Sequence, residues 1–109
     1  MSLQIFGRSK SFGTKKAERF FKERRIPYQY IDLDRIGISR GELESVLRAV
    51  GDWRKLVREA EELQYYSVEA IVTRLLDEPE RLVAPIVRNG KKAAVGENAE
   101  AWKELAENK

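Results

Sequence analysis

The stretch Leu3-Gln4-Ile5-Phe6-Gly7-Arg8-Ser9-Lys10-Ser11-Phe12-Gly13-Thr14-Lys15-Lys16-Ala17-Glu18-Arg19-Phe20-Phe21 decides how the rest of this chain is read. Leu3 to Gly7 has the composition of a short strand, and Gly7 lets the backbone turn into the polar segment 8–13. Thr14 then reads as the N-cap of a helix with Ala17, Phe20 and Phe21 on one face. A strand, a polar turn and a helix start form the setting of a redox thiol, because the positive end of a helix favours thiolate over thiol. The candidate positions here hold Ser11 and Thr14, and the chain contains neither cysteine nor histidine. A hydroxyl at that place has no imidazole to activate it.

Those absences narrow the chemistry. Disulfides, thiolate or imidazole metal sites, and Ser-His-Asp or Cys-His catalysis all need residues that the sequence lacks. No calcium-loop spacing of carboxylates occurs, so no metal and no cofactor are expected. The chain has 109 residues, enough for one domain with its own core, and no apolar run of the roughly 18 residues that a membrane span needs. Met1-Ser2-Leu3-Gln4 leads straight into a strand without the basic and apolar regions of a signal peptide, and the expected location is the cytoplasm.

Outward from the opening stretch, Arg24-Arg25 and Pro27 end the first helix, and Tyr28-Gln29-Tyr30-Ile31-Asp32 alternates as a strand does. Residues 34–37 form a loop. Ser39-Arg40-Gly41-Glu42 is a capping box ahead of Leu43, Val46, Leu47 and Val50, with Gly51 as the stop. A second helical stretch is expected over residues 53–62, carrying Leu56, Val57 and Ala60, with Leu63 next in register. Ser67 caps a third that runs to Asp77, and Pro79 marks a stop or a short turn. Residues 81–95 read as a hairpin whose two-residue turn is Asn89-Gly90, and Asn98 caps a last helix to about Glu107. The order is β-α-β, a helical block over about residues 39–78, then β-β-α: one α/β domain over 1–109 with a mixed four-stranded sheet.

That order, together with Ile5-Phe6-Gly7, Lys16-Ala17, Ile38-Ser39-Arg40-Gly41-Glu42-Leu43, Ala84-Pro85-Ile86-Val87, Asn89-Gly90-Lys91 and Val95-Gly96, resembles the arsenate reductase/Spx group of the thioredoxin-like fold. The likeness runs from Leu3 to Leu105. It implies that the attacking cysteine of the reductases falls at Ser11, and that the second cysteine of redox-switch members falls at Thr14. It implies three oxyanion-binding arginines, of which Arg58 is retained while Ala84 and Glu97 occupy the other places. It also implies a cis bond between Ala84 and Pro85. Serine forms neither a sulfur–arsenic adduct nor a mixed disulfide, and Glu97 repels an oxyanion, so reductase chemistry of the family kind is not expected.

Three alternatives stay open on these residues. One is a non-redox domain that acts through protein contacts; Spx-type members bind RNA polymerase, which resemblance makes a candidate partner. Another is a binder of a small anion or glutathione-type ligand at the helix start, using Arg8, Lys10, Ser11, Gly13, Thr14 and Arg58. The third is an oxidoreductase homologue with no retained ligand. The chain carries 21 basic and 18 acidic residues, and its basic excess is concentrated in the first 40. That half is either a solvated face or a patch for an acidic partner. No nucleic-acid motif is present, and neither nucleic acid nor membrane is expected as a direct partner. Paired carboxylates such as Glu61-Glu62 point in different directions on a helix and form no acid/base pair.

Overall fold

The computed structural model describes residues 3–107. Its central sheet has the order β2-β1-β3-β4, built from Leu3–Gly7 (β1), Tyr28–Asp32 (β2), Ile86–Asn89 (β3) and Lys92–Val95 (β4). β1 runs parallel to β2 with Leu3 opposite Tyr28, and antiparallel to β3 with Ile5 opposite Val87. The Leu33 amide donates to the Gly7 carbonyl at 2.8 Å and prolongs the parallel pair.

Side-chain alternation along the strands divides the interior into two layers. Leu3, Ile5, Val87 and Ala94 meet helix α1 (Phe12–Glu23) and helix α4 (Ala99–Glu107) through Ala17, Phe21, Trp102 and Leu105. Phe6, Ile31 and Ile86 on the opposite face meet helix α2 (Arg40–Val50) and helix α3 (Val68–Asp77) through Leu43, Val46, Ile71, Val72 and Leu75. Trp102 is buried at the edge of Phe20, so it is a packing residue of the first layer.

The local caps follow the sequence. Ser39 and Glu42 form the reciprocal box, Gly51 closes α2 with φ of 88°, Ser67 accepts from the Ala70 amide, and Asn98 accepts from the Ala101 amide. Burial pushes the Glu42 carboxyl up, but bonds from Ser39 and Gln4 and the charge of Arg88 together hold it below its usual value.

Two expectations are corrected. The stretch 53–62 is not one helix: it is two single 3-10 turns, Trp53–Leu56 and Ala60–Leu63. Between them Val57 pairs with Leu82, so Val57 is drawn out in extended form, and Glu59 takes φ of 54°. The hairpin turn is Gly90-Lys91, one residue later than expected, because Asn89 pairs with Lys92 inside the ladder. Asn89 is buried there and its side-chain amide donates to the Leu105 carbonyl at 2.8 Å, tying β3 to α4.

Candidate functional site

Helix α1 starts three residues earlier than its sequence suggests. Ser11 is the N-cap, with extended backbone, and its Oγ accepts from the Thr14 amide at 3.1 Å. Thr14 is thus not the cap but a residue of the first turn. It is buried, and its Oγ1 accepts from the Arg8 amide at 3.2 Å. The Ser11 amide donates to the Arg8 carbonyl, and the Ser11 carbonyl accepts from Lys15, each at 3.1 Å. The hydroxyls of Ser11 and Thr14 therefore hold the turn closed.

The turn meets three other segments at the C-terminal end of β1. The peptide between Ala84 and Pro85 is cis, as the resemblance implies, and Pro85 is buried. A β-carbon on Gly13 would stand 2.9 Å from Pro85 Cδ and 3.7 Å from Ser11 Oγ, so only glycine allows the helix start to lie on the proline ring. A β-carbon on Gly7 would stand 2.4 Å from Thr14 Cγ2, which places that glycine by close approach rather than by turning. The Gly96 amide donates to the Pro85 carbonyl at 2.8 Å, which brings Glu97 to the same corner. There Glu97 pairs with Lys16 of α1 at 2.7 Å. Both side chains are about half exposed, and such a pair contributes only about 0–1 kcal/mol.

The cations named from sequence do not converge. The Arg8 guanidinium points away from the helix start: Nη1 donates to the Leu82 carbonyl at 2.7 Å, Nη2 to the Pro79 carbonyl, and Nε to Asp34 at 3.1 Å. It clamps the end of β1 to the segment before β3. Arg58 is exposed, and among the described residues its side chain has no hydrogen bond or ion pair; its amide donates to the Arg81 carbonyl. Lys10 is exposed in the turn and likewise unpaired. The first amides of a helix lack intrahelical acceptors, and with Thr14 and Lys15 satisfied by Ser11, those of Phe12 and Gly13 remain.

Sequence reasoning missed Phe12, the Arg8 clamp and the Lys16–Glu97 pair. Phe12 is 79% exposed at the first helical position, next in sequence to the Gly13 that lies against Pro85. Its unmatched apolarity in a polar turn was the one local signal; the other two depend on partners 71 or more residues away. Among the described residues no cluster of carboxylates holds metal-ligand geometry, and no helix is long and apolar enough to cross a membrane.

The architecture is thioredoxin-like, with a helical insertion ahead of the hairpin. Solved structures place it more closely. An arsenate reductase from Vibrio cholerae is 23% identical over 96% of this chain and 98% of that one, with a TM-score of 0.83. A protein from Bacteroides fragilis described as related to the ArsC family is 17% identical over 96% and 98%, with a TM-score of 0.84. An arsenate reductase related protein from Brucella melitensis is 21% identical over 95% and 93%, with a TM-score of 0.66. No protein-family model matches the chain, and no curated protein does. The feature shared with these structures is the fold, and this chain carries it without cysteine.

Proposed function

We propose that this chain is a non-redox domain of the arsenate reductase-like fold that acts by binding another protein. The observation that carries this reading is the closed helix start. Ser11 and Thr14, where the resemblance puts sulfur, accept hydrogen bonds from backbone amides of their own turn. Neither has a base beside it, since the sequence has no histidine. Arg8 is spent on two carbonyls, and Glu97 puts a carboxylate where the resemblance implies an oxyanion-binding arginine. What this end of the fold offers outward is a phenylalanine and lysines, which suit protein contact better than turnover.

A thermal-shift panel with arsenate, phosphate, sulfate and glutathione at millimolar concentration tests it. A ligand at about a hundred times its dissociation constant adds about 2.7 kcal/mol, several degrees for a domain of this size. The proposal predicts no shift with any of them. A saturable shift lost in Ser11→Ala or Arg58→Ala contradicts it and restores the ligand site as the better reading.

A further inference from the structure

Helix α1 presents to solvent a face made of Phe12, Lys15, Lys16, Arg19 and Lys22, with Glu23 at its far end. Its other face, Thr14, Ala17 and Phe21, is buried, so the division follows from helical spacing. The cations of that face differ in what they already hold. Lys16 is paired with Glu97. Lys15 lies over the Phe12 ring, 5.9 Å from its centre. Among the described residues, Lys15, Arg19 and Lys22 have no carboxylate partner, and neither does Lys10 in the preceding turn. Glu23 could have neutralised Arg19 one turn away, yet no ion pair joins them. Glu18, on the flank, is committed to the Tyr28 hydroxyl at 2.8 Å. Arg24 is excluded from the face: it stacks on Phe20 at 3.6 Å and caps the Phe20 carbonyl.

We propose that this face is a docking surface for an acidic protein segment that also carries an apolar side chain, its carboxylates meeting Lys15, Arg19 and Lys22 and its apolar group meeting Phe12. The inference rests on the reading of the chain as a protein-binding domain and supplies the chemistry of its partner. The cations stand at spacings of three and four residues and run about 10 Å along the helix beyond an aromatic ring, a stripe sized for one short peptide. A nucleic acid fits less well. Glu23 and Glu97 lie at the two ends of the stripe, and a phosphate backbone meets their repulsion while gaining nothing from Phe12. The net charge of the whole chain is only +3.

The probe is a fluorescein-labelled peptide of about twelve residues with two glutamates to each leucine, long enough to cover the stripe. Anisotropy titrations are run on the wild type, on Lys15→Glu/Lys22→Glu, on Lys91→Glu/Lys92→Glu with the same change of net charge at the hairpin turn, and on Phe12→Ser. All four substituted lysines are exposed, and circular dichroism checks that each variant folds. The expected result is salt-sensitive binding, weakened about tenfold by the α1 pair and less than about twofold by the hairpin pair. Phe12→Ser weakens it with the salt dependence unchanged. Equal losses in the two pairs, no binding by the wild type, or tighter binding of a single-stranded oligonucleotide of similar length each overturn the inference. If the anion panel is silent and the peptide fails, only this inference falls; if the panel shows a site that Ser11→Ala abolishes, the underlying reading falls too.

Discussion

Ser11 Oγ accepts the Thr14 amide at 3.1 Å, so the hydroxyl for which the resemblance implies a nucleophile's place is the N-cap of the helix behind it. A cap of this kind contributes about 1 kcal/mol. Ser11→Ala should therefore lower the free energy of unfolding by that amount, read as a lower urea midpoint with an unchanged m-value. Ser11→Asp should match or exceed the wild type, since a carboxylate also caps and is favoured by the helix dipole.

Gly7 and Thr14 are coupled by close approach. A methyl on Gly7 meets Thr14 Cγ2 at 2.4 Å and Oγ1 at 2.5 Å, and Thr14 is buried and held by the Arg8 amide. Overpacking predicts a loss of about 1–3 kcal/mol for Gly7→Ala. Combining it with Thr14→Ala should cost less than the sum of the two single changes, because the clash is shared. Equilibrium denaturation of the three variants measures that coupling.

Arg8 is a structural clamp, and its energy lies in the carbonyls rather than in the ion pair. Its side chain is 12% exposed, whereas Asp34 is 54% exposed. Arg8→Lys cannot reproduce a fork that reaches both Leu82 and Pro79, and should destabilise by about 2 kcal/mol. Asp34→Ala should stay within about 0.5 kcal/mol. Chemical denaturation of both separates the two contributions.

The two layers titrate at opposite ends of the pH scale. Burial first, then the hydrogen bond and charge of Glu18, push Tyr28 up from its ordinary 10.0 to about 12. Between those values the folded chain keeps a proton that the unfolded chain releases, so stability falls as pH rises from 10 to 12. Melting curves of Tyr28→Phe should lack that part of the alkaline loss. Glu42 has the opposite sign: its folded value lies below the ordinary 4.5, so its contribution is present above that pH and is lost as pH falls through the folded value. Glu42→Gln should flatten the acid limb.

Much of this fold is legible because its signals are local. Ser39 with Glu42, Ser67 with Ala70, and Asn98 with Ala101 each act within one turn, and the sequence shows them directly. The misread elements are those that a distant partner overrides. The spacing of Leu56, Val57, Ala60 and Leu63 is helical, but Val57 is claimed by Leu82. Asn89-Gly90 is a good turn pair, but Asn89 is claimed by Leu105. At the candidate site, the resemblance implies a cis bond between Ala84 and Pro85, which the fold has, and Gly13 lies against that proline and Ser11. It did not reveal that Arg8, drawn as an anion ligand, reaches across to Leu82, 74 residues further along. Thr14 as a cap was a near miss, since Ser11 three residues earlier offers the same oxygen with the better backbone.

On the proposed reading, the helix start, whose two hydroxyls are held by amides of its own turn, takes no small ligand. The most direct measurement is a nitrogen-15 NMR titration with arsenate and then glutathione, following the amides of Phe12 and Gly13, which Ser11 and Thr14 leave unpaired. These two resonances should stay in place up to millimolar ligand, in wild type and Ser11→Ala alike. Saturable movement centred on them, diminished by Arg58→Ala, would contradict it and make this turn an anion site.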